Sequence, residues 1–172
     1  MSDILEILKY ILPSLVVLWT TDRVLRWQFH KTQELQQQQI RQEQLKHLLP
    51  VRLQAAERLA LFLERISPEA MVHRLSEAGM NAQTLQLTLL TSIRAEYEHN
   101  MAQQIYLHAD TWEAIRSAKE DVTAVVNQAA QGLGPEATAM DYSRRLFELL
   151  RGRAVYPTAN ALIQLRRETD RL

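Results

Sequence analysis

Glu96 and His99, in the tetrapeptide "EYEH", stand three residues apart. That spacing puts a carboxylate and an imidazole on one face of a helix, as in carboxylate-bridged metal sites. Such a site needs a second Glu-x-x-His and two further Glu residues on facing helices. The chain has no second Glu-x-x-His, and Glu43/His47 and Glu69/His73 are spaced by four instead. No metal is therefore expected. The same residues are expected to form a polar cluster, with Glu96 and His99 reaching Arg58 and Arg65. Glu57-Arg58 and Glu64-Arg65 recur one heptad apart, which suits either a salt-bridged helix edge or an edge that docks a partner.

Other chemistries lack their residues. There is no Cys, which removes thiol nucleophiles, disulfides and Cys-ligated zinc. There is no Gly-x-Ser-x-Gly, no Gly-x-x-x-x-Gly-Lys phosphate loop and no Gly-x-Gly-x-x-Gly. With 4 glycines in 172 residues, a backbone phosphate cradle is not expected. No catalytic residue is assigned and no cofactor is expected. Lys and Arg number 20 against 20 acidic residues, so no basic excess points to nucleic acid. The interleaved charges of "LRRETDRL" read as a solvated face.

The elements that would carry these side chains are helices. Ala, Leu, Gln, Glu and Arg dominate, all good helix formers. Apolar residues recur at three and four: Ala56, Leu59, Phe62, Leu63 and Ile66, then Leu85, Leu89, Leu90, Ile93, Tyr97, Met101 and Ile105. Trp112, Ile115, Val122, Val126 and Ala129 form a third face, its missing position filled by Lys119 or Ala118. Ala139, Tyr142, Leu146, Leu149 and Leu150 form a fourth, and Leu162, Leu165, Thr169 and Leu172 a last one. The predicted helices are 51–66, 68–78, 82–108, 111–131, 136–151 and 158–171. Ser67-Pro68, Asn81 and Asp110 serve as starts, and Gly79, Gly132 and Gly152 as stops. No run alternates as a half-buried strand does. The fold class is all-α, an up-down helical bundle of four to five helices.

Three regions follow: a hydrophobic segment at 1–28, a polar Gln-rich helix at 29–50 that stops before Pro50, and the bundle at 51–172. Ile4 to Leu18 holds ten aliphatic residues, and Tyr10 to Thr21 holds no charge. An 18-residue helix is about 27 Å long, just enough to cross the hydrocarbon. Ile4, Leu8, Ile11, Leu12, Leu15, Val16, Leu18 and Trp19 are the expected anchor, with lipid as partner through residues 4–21. Arg23, Arg26 and Lys31 follow the segment and only Lys9 precedes it, which puts the bundle on the cytoplasmic side of a bacterial inner membrane.

"LPVRLQAAERLALFLERISPEAMVHRL", "IRAEYEHNMAQQIY" and "TWEAI" resemble an uncharacterised bacterial family of small helical proteins with a short hydrophobic N-terminus. The resemblance covers roughly residues 45 to 115. It implies a membrane-tethered helical protein and transfers no activity and no site. The expected function is non-enzymatic: a tethered scaffold or adaptor that binds a protein partner or itself. The alternatives are a metal- or ligand-binding bundle enzyme, and a soluble helical-bundle interaction protein whose first helix is core.

Overall fold

The computed structural model describes residues 2–170; the side chains at 2–16, 29–42, 44 and 45 fall outside that description. The chain is all-α. Its helices are α1 (Ser2–Arg65), α2 (Pro68–Leu75), α3 (Ala82–Asn100), a 3₁₀ helix (Met101–Tyr106), α4 (Ala109–Ala130), α5 (Ala139–Arg151) and α6 (Ala159–Thr169). The chain divides into two compact units, Met1–Leu48 and Leu49–Leu172.

In the second unit α4 packs against α3, α5 and α6, and α3 also meets α2 and α5. Leu59, Phe62, Leu63 and Ile66 bring the end of α1 into the same core as Leu85, Leu89, Ile115, Val122, Tyr142 and Leu146. These are the positions that the three-and-four spacing selects, because such residues share one helix face. Among the described residues there is no strand. One isolated antiparallel bridge pairs Asn81 with Thr138. It ties the starts of α3 and α5 through Ala82 N–H to the Ala137 carbonyl (2.9 Å) and Ala139 N–H to the Met80 carbonyl (3.0 Å).

Several boundaries depart from the sequence expectation, each for a local reason. α1 runs through Pro50 instead of stopping before it. Proline removes one helical donor, but residues 46 to 50 are exposed, so water can satisfy the carbonyl left over. The long helix expected at 82–108 ends at Asn100 and tightens into the 3₁₀ helix. There the buried Asn100 amide donates to the Glu96 carbonyl at 2.8 Å, a local bond that competes with the regular ladder. The change of pitch takes Met101 and Ile105 off the apolar face, and Ile105 is 73% exposed.

α2 stops at Leu75 rather than 78, and Gly79 serves the following turn with φ of +82°. Asn81 caps α3 as expected, accepting from Thr84 N–H at 2.8 Å. α5 begins at Ala139, not 136, because Thr138 and Asp141 form a capping box. Those hydrogen bonds from Thr138 hold the Asp141 carboxyl below its ordinary pKa. Gly132, also at φ +82°, follows α4 in the left-handed position that ends a helix. Ala118, not Lys119, fills the seam of α4. The Tyr142 hydroxyl, buried, donates to the Val126 carbonyl at 2.7 Å, and burial pushes its pKa up.

Candidate functional site

The first unit has an unusual surface. Val17, Leu18, Trp19, Val24, Leu25 and Trp27 are all exposed, Leu18 to 71% and Trp19 to 62%. At about 100° of rotation per residue, Val17, Leu18, Val24, Leu25 and Trp27 gather with Thr20, Thr21 and Gln28 on roughly half the helix circumference. Asp22, Arg23 and Arg26 occupy the other half, with Trp19 among them. A core-facing helix needs a stripe only about 100° wide, so this face is broad for packing on one neighbour.

The polar groups in this stretch are locally satisfied. Thr20 Oγ1 and Thr21 Oγ1 donate to the Val17 carbonyl at 2.9 and 2.7 Å. Such back-bonding lets a hydroxyl sit in an apolar medium without an orphaned donor. Arg26 Nε donates to Asp22 Oδ2 at 2.8 Å. The Arg23 guanidinium lies 5.6 Å from the centre of the Trp19 ring. The result is a largely apolar half-cylinder with a tryptophan and arginines on the opposite side.

Of the expected anchor residues, Leu18 and Trp19 are therefore exposed, while Ile4, Leu8, Ile11, Leu12, Leu15 and Val16 lie outside the described side chains. Among the described residues no helix is long and apolar enough to cross a membrane.

The expected polar cluster is only half assembled. Arg65 NH2 meets Glu96 Oε1 at 2.7 Å, joining α1 to α3. Arg58 and His99 are exposed and stand apart from this pair. His99 follows Glu96 by three on α3, yet Glu96 is turned to Arg65. Among the described residues no three His, Asp or Glu side chains gather in a way that could hold a metal ion.

The most charged buried point lies elsewhere, at Glu168 on α6, which is only 3% exposed. Its Oε1 accepts from Arg52 NH2 at 2.9 Å and from His108 N–H at 3.2 Å, with His108 Nδ1 at 2.7 Å. Its Oε2 accepts from Thr111 Oγ1 at 2.7 Å. Arg52 Nε also donates to the Tyr106 carbonyl at 3.1 Å. Burial pushes the Glu168 pKa up, but the hydrogen bonds from Thr111 and His108 outweigh it and hold the carboxyl below its ordinary value.

This node explains two departures from the expected pattern. The last helix buries Ala161, Leu165 and Glu168, so its face is rotated from the expected Leu162, Leu165 and Thr169; Leu172 lies outside the described residues. α4 starts at Ala109 with His108 as N-cap and no side-chain cap of its own. Asp110, expected as N-cap, is the second residue of the helix, because the Glu168 carboxylate supplies the acceptor at that end. The node fastens α1, α4 and α6 together, and its oxygens are taken up by these contacts.

No curated protein and no solved structure matches the chain. A family model described as "Family of unknown function (DUF7935)" matches residues 2–172, which widens the resemblance seen over 45 to 115 to the whole described chain. With a match of that extent, the chain belongs to this family of unknown function.

Proposed function

We propose that the protein is a non-enzymatic, membrane-tethered helical adaptor: residues 4–21 and the apolar face that follows hold it to lipid, and the bundle binds a protein partner or a second copy. The observation that carries the reading is the largely apolar half-cylinder from Val17 to Trp27, with exposed Leu18, Leu25 and Trp27 and back-bonded threonines. A surface of that breadth in water favours association with an apolar phase. Lipid suits it better than one neighbouring helix, since lipid surrounds a half-cylinder and a single helix covers a stripe. The charge bias of Arg23, Arg26 and Lys31 over Lys9 favours a cytoplasmic bundle at a bacterial inner membrane.

The chain should sediment with membranes and stay there through alkaline carbonate. Extraction into neutral detergent should recover it with a stoichiometric partner or as a homo-oligomer. Complete release by carbonate would remove the tether from the reading, and a monodisperse, partner-free monomer in the extract would remove the adaptor.

A further inference from the structure

α3 and α4 face each other across a groove of about 290 Å³. From α3 it is lined by Leu90, Ile93, Arg94 and Tyr97, which fall at i, i+3, i+4 and i+7 on one stripe. From α4 it is lined by Lys119, Thr123 and Asn127, again one stripe at i, i+4 and i+8. The floor is apolar and aromatic. Tyr97 is wedged between Trp112, stacked at 5.7 Å, and Phe62, tilted at 6.1 Å, so its position is fixed by the core.

The charged residues that line this groove are both cations. Lys119 Nζ sits 5.0 Å from the centre of the Tyr97 ring, and Arg94 lines the same groove. On the same two helices Glu96 is committed to Arg65 and Glu113 to Arg116, each at 2.7 Å, while Glu98, four residues after Arg94, and Glu120, beside Lys119, do not line the groove. Among the described residues neither Arg94 nor Lys119 is in an ion pair. Asn127 Oδ1 accepts from Gln86 Nε2 at 3.1 Å, which leaves its amide nitrogen as the donor end. Two other grooves differ in kind. The one containing Leu53 and Leu165 carries Glu57 and Glu64 as well as Arg166, and that beside Met80, Met140 and Phe147 has Glu77 as its only charge.

We propose that the α3–α4 groove is a binding site for a small oxyanion carried on a short apolar body. Arg94 and Lys119 neutralise the carboxylate or phosphate group, Asn127 donates to it, and Leu90, Ile93 and Tyr97 hold the apolar part. Two like charges beside one groove repel each other, and an anion between them turns that repulsion into attraction. The volume is at the small end for ligand sites, which favours a compact ligand.

Calorimetric titration of the full chain in neutral detergent tests the site with phenyl phosphate, phenylacetate and dihexanoyl phosphatidic acid. Inorganic phosphate and benzylammonium serve as controls. At least one organic anion should bind saturably, and Arg94→Gln and Lys119→Gln should each weaken it about tenfold, the loss typical of one charged hydrogen bond. Tighter binding of phenyl phosphate or phenylacetate would identify a soluble ligand; tighter binding of the phosphatidic acid would identify a lipid headgroup. The site is refuted if no organic anion binds, if benzylammonium binds as well, or if both variants bind undiminished. Equal affinity for inorganic phosphate would refute the apolar half of the proposal.

Discussion

Glu168→Ala will destabilise the bundle by about 3 kcal/mol, measured by chemical denaturation of the full chain in detergent. The variant removes a buried carboxylate and leaves the Thr111 hydroxyl and the N–H of His108 without their acceptor. Breaking a buried ion pair from one side costs more than the pair contributes, because the remaining group keeps its desolvation cost. Here the figure belongs at the low end of the usual range, since the Arg52 side chain is 30% exposed and water can reach it. Arg52→Ala should cost less, about 1 kcal/mol, because Glu168 keeps His108 and Thr111.

The pH dependence follows from the direction of the shift. Folding lowers the Glu168 pKa from its usual value of 4.5. The ionised carboxylate therefore stabilises the fold fully above that usual value, and its contribution is lost as pH falls through the lower, folded value. The stability gap between the natural chain and Glu168→Gln should be constant near neutrality and narrow below about pH 4.5. A gap that widens on acidification would mean that Glu168 is protonated in the fold.

The second large effect concerns the N-terminal unit. Leu18→Asp combined with Val24→Asp replaces two exposed residues of the apolar half-cylinder with charges. Two aliphatic side chains leaving an apolar phase forfeit about 4 kcal/mol, or roughly a thousandfold in partitioning. Flotation with vesicles should show the natural chain at the top of the gradient and the double variant at the bottom. The bundle should not respond: both substitutions lie in the Met1–Leu48 unit, so the far-ultraviolet spectrum and melting of the Leu49–Leu172 unit should be unchanged.

The helical faces were legible because they rest on local spacing. Leu59, Phe62 and Ile66, or Ile115, Ala118, Val122 and Val126, announce a buried stripe by recurring at three and four, and each is buried. The caps were partly legible. Asn81 stands alone before an apolar run, which marks it as a start. Thr138 and Asp141 carry the same kind of signal, but Pro135 precedes them and looks like an earlier start.

The Glu168 node was not legible. Its partners lie 116, 60 and 57 positions away in the chain, and no periodicity links a carboxylate to an arginine on another helix. The same limit hid the α3–α4 groove. Arg94 and Lys119 each look like ordinary surface residues on their own helix, and only packing sets them beside one groove. The Glu96–Arg65 contact is the reverse case: both residues belong to the expected polar cluster and they meet, while His99 stays exposed.

The tether is the claim on which the functional reading stands, and tryptophan fluorescence tests it directly. A chain with Trp19→Phe and Trp112→Phe retains Trp27, on the apolar half, as its single tryptophan. In vesicles whose acyl chains carry bromine, Trp27 emission should be strongly quenched and shielded from iodide in the water. A companion chain with Trp19→Phe and Trp27→Phe, reporting from half-buried Trp112 in the bundle, should be indifferent to the brominated lipid. Trp27 emission that ignores the bromine and remains open to iodide would contradict the account.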